Sequence, residues 1–82
     1  MSIYPNPTSD DYINLAFLSS TSKKVDISIV DMQGKIIKSY EVLLTKGNNT
    51  VKVDITNISA GTYLFYIKHD LEKYETSSFI IK

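Results

Sequence analysis

Val25-Asp26-Ile27-Ser28-Ile29-Val30-Asp31-Met32-Gln33-Gly34-Lys35 alternates and then turns. Val25, Ile27 and Ile29 fall on one side of an extended chain and Asp26 and Ser28 on the other, the period of a half-buried strand. Asp31 can accept backbone N–H bonds at the start of a type I turn, and Gly34 can take the positive φ that completes a tight hairpin. The same period extends both ways along the chain. Ile13, Leu15 and Phe17 alternate with Asn14 and Ala16; Val51, Val53 and Ile55 with Lys52 and Asp54; Tyr63, Phe65 and Ile67 with Leu64, Tyr66 and Lys68. The closing segment, Tyr74 to Lys82, most simply buries Phe79 and Ile81. Ile36 to Leu44 is apolar without a clear phase, so its inward side stays open.

Turn chemistry separates these runs. Ser19-Ser20-Thr21-Ser22 reads as a polar loop, Lys46-Gly47-Asn48-Asn49 as a second hairpin tolerant of left-handed backbone, and His69-Asp70-Leu71-Glu72 as the last turn. No window shows a capped period of 3.6. Short strands at this spacing predict an all-β fold, an immunoglobulin-like β-sandwich of six or seven mostly antiparallel strands. Ile58-Ser59-Ala60-Gly61-Thr62-Tyr63 fits the corner such sandwiches use: a tyrosine early in the penultimate strand points its ring into the core and its hydroxyl back to upstream backbone. Gly61 would allow close approach. Tyr4-Pro5-Asn6-Pro7 cannot sit mid-sheet, because proline has no N–H to donate and pushes the residue before it toward extended backbone. A stiff, extended segment at a sheet edge is expected there.

Composition narrows the function. At 82 residues, one domain is expected, burying roughly 60% of its unfolded surface. Without cysteine there is neither a disulfide framework nor a thiolate metal site. Nine lysines balance nine acidic residues and arginine is absent, so the basic footprint for nucleic acid or an anionic membrane is missing, as is the fork that clamps phosphate. No run reaches the roughly 20 apolar residues of a membrane span. Met1-Ser2 leads straight into Tyr4-Pro5 with no signal peptide, so export would need one on a longer parent.

No chemistry assembles. His69 is the lone histidine, with no second ligand at metal spacing; Asp10-Asp11 and Asp70/Glu72 follow no calcium-loop pattern; the Ser19–Ser22 hydroxyls have no general base near them in sequence. No metal, no cofactor and no catalytic residue is expected, and the chain reads as something recognised. Outward Leu64 and Tyr66, with Tyr40, would form an apolar patch on one sheet.

Taken in order, Tyr4-Pro5-Asn6-Pro7, Asp31 through Lys35, Ile58 through Tyr63 and Phe79-Ile80-Ile81-Lys82 resemble the C-terminal sorting domain of the type IX (Por) secretion system of Bacteroidetes, in its type A form. The resemblance covers essentially everything from Tyr4 onward. Ile58 stands where leucine is commoner in that family. Residues 1–3 are then expected to be linker and residues 4–82 the sorting domain.

What the resemblance implies is a non-catalytic secretion signal at the end of a larger, N-terminally fused cargo. Such cargo crosses the inner membrane first, and the folded domain directs it through the type IX translocon to the outer-membrane surface or the medium. A surface sortase usually cuts upstream of the domain. By the family pattern, Tyr4, Pro5, Asn6, Pro7, Gly34, Gly61, Tyr63, Phe79, Ile80, Ile81 and Lys82 carry the signal or the fold that presents it. A terminal edge strand is also open to pairing by a partner. A fibronectin-like or immunoglobulin-like structural or carbohydrate-binding accessory module is the alternative with the same fold. Such a module would sit anywhere in its parent and show an aromatic platform.

Overall fold

The computed structural model describes residues 2–9, 11–68 and 74–82. Seven strands follow in order: β1 (Ser2–Tyr4), β2 (Tyr12–Ser19), β3 (Lys23–Asp31), β4 (Ile36–Leu44), β5 (Gly47–Asp54), β6 (Gly61–Lys68) and β7 (Tyr74–Ile81). They form a three-stranded sheet ordered β1-β2-β5 and a four-stranded sheet ordered β4-β3-β6-β7. All strand pairs in both sheets are antiparallel. Both sheets contribute to one apolar cluster, the arrangement of a sandwich.

The alternation places the core. Ile13, Leu15 and Phe17 of β2, Val25, Ile27 and Ile29 of β3, Tyr63, Phe65 and Ile67 of β6, and Phe79 and Ile81 of β7 are all buried. Val53 and Ile55 are buried as well, while Val51 is half-buried against the cluster. The Phe65 and Phe79 rings stack with centroids 4.4 Å apart. Stacked aromatic pairs add about 0.5–1.5 kcal/mol beyond their area burial.

β4 resolves the open phase. Ile36 pairs with Val30 and Lys38 with Ile29, so Ile37 is the extra residue of a β-bulge. The extra residue shifts the alternation, and both Ile36 and Ile37 end up exposed. Past the bulge Tyr40 and Val42 pack against the core and Leu44 is buried in it.

The segment Lys46–Asn49 departs from the expected hairpin. β4 pairs with β3 and β5 with β2, so the connection passes from one sheet to the other. The Asn49 side chain holds this crossing: its amide donates to the Thr45 and Gly47 carbonyls at 2.8 and 3.1 Å and accepts from the Thr45 N–H at 3.0 Å. The expected turn at His69–Glu72 lies outside the described residues.

Ser2 and Ile3, read from the sequence as linker, form β1 with Tyr4. They pair with Ala16 and Leu15, and Ile3 packs against the core.

Candidate recognition site

The opener is not a straight segment. β1 belongs to the three-stranded sheet; Pro5, Asn6 and Pro7 then bend, with both the Tyr4–Pro5 and Asn6–Pro7 peptide bonds cis, and Thr8 arrives at the far edge of the four-stranded sheet. The expected edge position holds; the expected extended path does not.

Four hydrogen bonds tie this bend to the last strand. The Thr8 N–H donates to the Ile80 carbonyl at 2.9 Å and the Lys82 N–H to the Thr8 carbonyl at 2.8 Å, making a parallel bridge beside Ile81. The Ile80 N–H donates to Asn6 Oδ1 at 3.0 Å, and Asn6 Nδ2 reaches the Ser78 carbonyl at 3.5 Å. The prolines on either side have no N–H to offer. The carboxamide of Asn6 carries a donor and an acceptor and stands in for a missing backbone rung. Thr8 is only 1% exposed. Sequence reasoning stopped at Pro7 and missed it; the available signal was that Thr8 carries the first backbone N–H after the second proline.

The other two motifs form local devices. Asp31 Oδ1 accepts from the Gln33 and Lys35 N–H groups at 2.9 Å each, and the Gly34 N–H donates to the Asp31 carbonyl at 3.0 Å. Gly34 has φ +89°, where a side chain is strained although space is open around it. At the corner, Tyr63 donates its hydroxyl to the Ser59 carbonyl at 2.6 Å. The ring covers Gly61, yet a Cβ there would sit 3.6 Å from it, an ordinary contact.

Register brings all four motifs to one end of the four-stranded sheet. Asp31 pairs with Tyr63, Tyr63 with Phe79 and Gly61 with Ile81, while Thr8 bridges Ile81. The Tyr63 and Phe79 ring centroids lie 5.9 Å apart. The hairpin turn, tyrosine corner, terminal strand and opener are thus one continuous band. Its buried members are Thr8, Tyr63, Phe79 and Ile81. Tyr4, Pro5, Asn6, Pro7, Gly34, Ile80 and Lys82 are exposed on it.

Other features lie apart. Asp54 has its carboxyl held below the ordinary value, first by the Thr56 hydroxyl and then by the Thr56 N–H at 2.8 Å, with the Lys38 charge adding to the effect. Tyr40 does not join Leu64 and Tyr66 in an outer patch: it turns inward and donates its hydroxyl to the Asp54 carbonyl at 2.9 Å. Among the described residues no three His, Cys, Asp or Glu side chains gather as a metal site, and no helix is long and apolar enough to cross a membrane. Asp10, His69, Asp70 and Glu72 are outside the described residues.

A family model described as the secretion system C-terminal sorting domain matches residues 2–82. Comparison with curated proteins and with solved structures returned no match.

Proposed function

Because the chain belongs to the family of secretion-system C-terminal sorting domains, we propose that its working surface is the band formed by opener, corner, hairpin turn and last strand. The family is a signal of the type IX system, carried C-terminally on a cargo protein and serving export toward the cell surface or medium. On our reading the cargo reaches the periplasm first. The folded domain, residues 4–82 with Ser2 and Ile3 extending it, then presents Tyr4, Pro5, Asn6, Pro7, Ile80 and Lys82 to the translocon. Gly34, Gly61, Tyr63, Phe79 and Ile81 keep that surface in shape. A surface sortase cuts upstream of β1. The domain does no chemistry itself and acts as a rigid label.

The observation that carries this reading is the clasp between Asn6–Thr8 and Ile80–Lys82. Without it, the front motif and the end motif would be separate features; with it, a partner meets both at once. The test fuses residues 2–82 to a fluorescent protein exported to the periplasm, in hosts with and without a working type IX translocon. Fluorescence should reach the surface or medium only where the translocon works. Equal release from both hosts would reject the reading.

A further inference from the structure

The sheets have four edges, and three carry their own obstruction to pairing. β1 is three residues long and runs into Pro5. β4 is bulged at Ile37 and carries Lys38 and Glu41. β5 is crossed at Asp54, whose carbonyl takes the Lys38 ammonium and the Tyr40 hydroxyl. Bulges, charges and short lengths are the usual protections of sheet edges. β7 has neither bulge nor proline, and Glu75 is its one charge among the described residues.

Only half of the β7 edge is covered. Even-numbered residues turn their backbone groups outward there, as Ile80 does toward Asn6 and Thr8. The Ser78 carbonyl takes the Asn6 amide. Beyond that point, among the described residues, the N–H groups of Thr76 and Ser78 and the carbonyls of Tyr74 and Thr76 face outward with no neighbouring strand. This set is self-complementary. A two-fold axis beside Thr76 brings each Thr76 N–H onto the Thr76 carbonyl of a second copy and each Ser78 N–H onto its Tyr74 carbonyl.

We propose that the uncovered half of β7 is a self-pairing surface: a second copy docks there by antiparallel β7–β7 pairing centred on Thr76, joining the two four-stranded sheets into one. The register is selected from both sides. Centring on Glu75 sets two carboxylates directly opposite, which is destabilising in an antiparallel pair. Centring on Ser77 needs the Ser78 carbonyl for its inner pairs and the Ile80 backbone groups for its outer ones, and the opener already holds both. Centring on Thr76 sets Thr76 against Thr76, a favourable cross-strand pair, and Glu75 against the neutral Ser77. The symmetry is the closed, isologous kind of most homodimers. The opener therefore has a second role: by stopping at Ser78 it defines where pairing ends.

A contact of this size is weak, so sedimentation equilibrium of the 82-residue chain should run up to about 1 mM protein. The average mass should climb toward twice the monomer value across that range. Thr76→Pro removes an N–H that β6 does not use, a position where an edge strand tolerates proline. It should weaken association at least about tenfold with an unchanged melting temperature. A second pair of variants reads the register independently of that substitution: Ser77→Glu should weaken the dimer, and Ser77→Lys should strengthen it through two new pairs with Glu75. A monomer at every concentration, a dimer untouched by Thr76→Pro, or equal effects of the two Ser77 variants would each overturn the proposal. The sorting experiment stands apart from these outcomes, since it reads export and not mass.

Discussion

β4 and β7 close opposite sides of the same four-stranded sheet, and they do so by different means. β4 is guarded by residues next to one another in sequence, the Ile37 bulge, Lys38 and Glu41, and Tyr40 adds a bond across to Asp54 of the other sheet. β7 is guarded by a segment 74 residues away, whose Asn6 carboxamide and Thr8 backbone fill the last rungs. A local guard forms whenever its strand forms. A remote guard exists only after the chain has folded and its two ends have met. Damage at β4 should therefore stay at β4, while damage at β7 should be felt at the front of the domain.

The largest break in that comparison is Phe79→Ala. Phe79 is 1% exposed and stacks on Phe65, so truncation should cost about 3–5 kcal/mol, read from chemical denaturation. It should also loosen Asn6–Thr8, seen as faster amide exchange at Thr8; full protection there would mean that the opener holds itself. Next comes Asn6→Ala, which removes the amide standing on the edge. The expected loss is about 1 kcal/mol, with exchange at the Ile80 amide rising while Phe79, bonded inward to β6, stays protected. Equal exposure of both amides would show that the clasp supports the whole strand and not its rim alone.

Tyr40→Phe sharpens the β4 side. Losing the hydroxyl to the Asp54 carbonyl should cost about 0.5–1.5 kcal/mol and leave the Ile80 amide unchanged; any change at Ile80 would couple the two edges. The smallest effect concerns the Asp54 carboxyl nearby, which Thr56 holds below its ordinary value. A depressed carboxyl favours the folded state above the unfolded value and loses that contribution as pH falls through the folded one. In Thr56→Ala the Asp54 carboxyl resonance should titrate at higher pH than in the parent chain; an unmoved midpoint would assign the depression to the backbone N–H of residue 56, which alanine keeps, and to Lys38.

The two edges also differ in how far they could be read from the sequence. β2, β3, β6 and β7 each keep one face in the core and one toward solvent, so Ile13, Ile27, Phe65 and Phe79 declared their own orientation. The tyrosine corner was equally legible, because Tyr63 and its acceptor Ser59 are four residues apart. β4 was not: its bulge sets Ile36 and Ile37 side by side in the chain with neither buried, and a period-2 pattern cannot survive an extra residue. The opener was half legible. Pro5 and Pro7 excluded it from the sheet interior, but which edge it meets, and that Thr8 is buried there, depend on the four-stranded sheet being complete. The Lys46–Asn49 crossing failed for a related reason, since turn residues report a change of direction and not which sheet receives the next strand.

The bond from the Lys82 N–H to the Thr8 carbonyl has one more consequence. A cut inside β7 that removed Ile80 to Lys82 would take away three of the hydrogen bonds that hold Asn6 and Thr8 to that strand. The bend at the front of the domain therefore closes only on an intact β7.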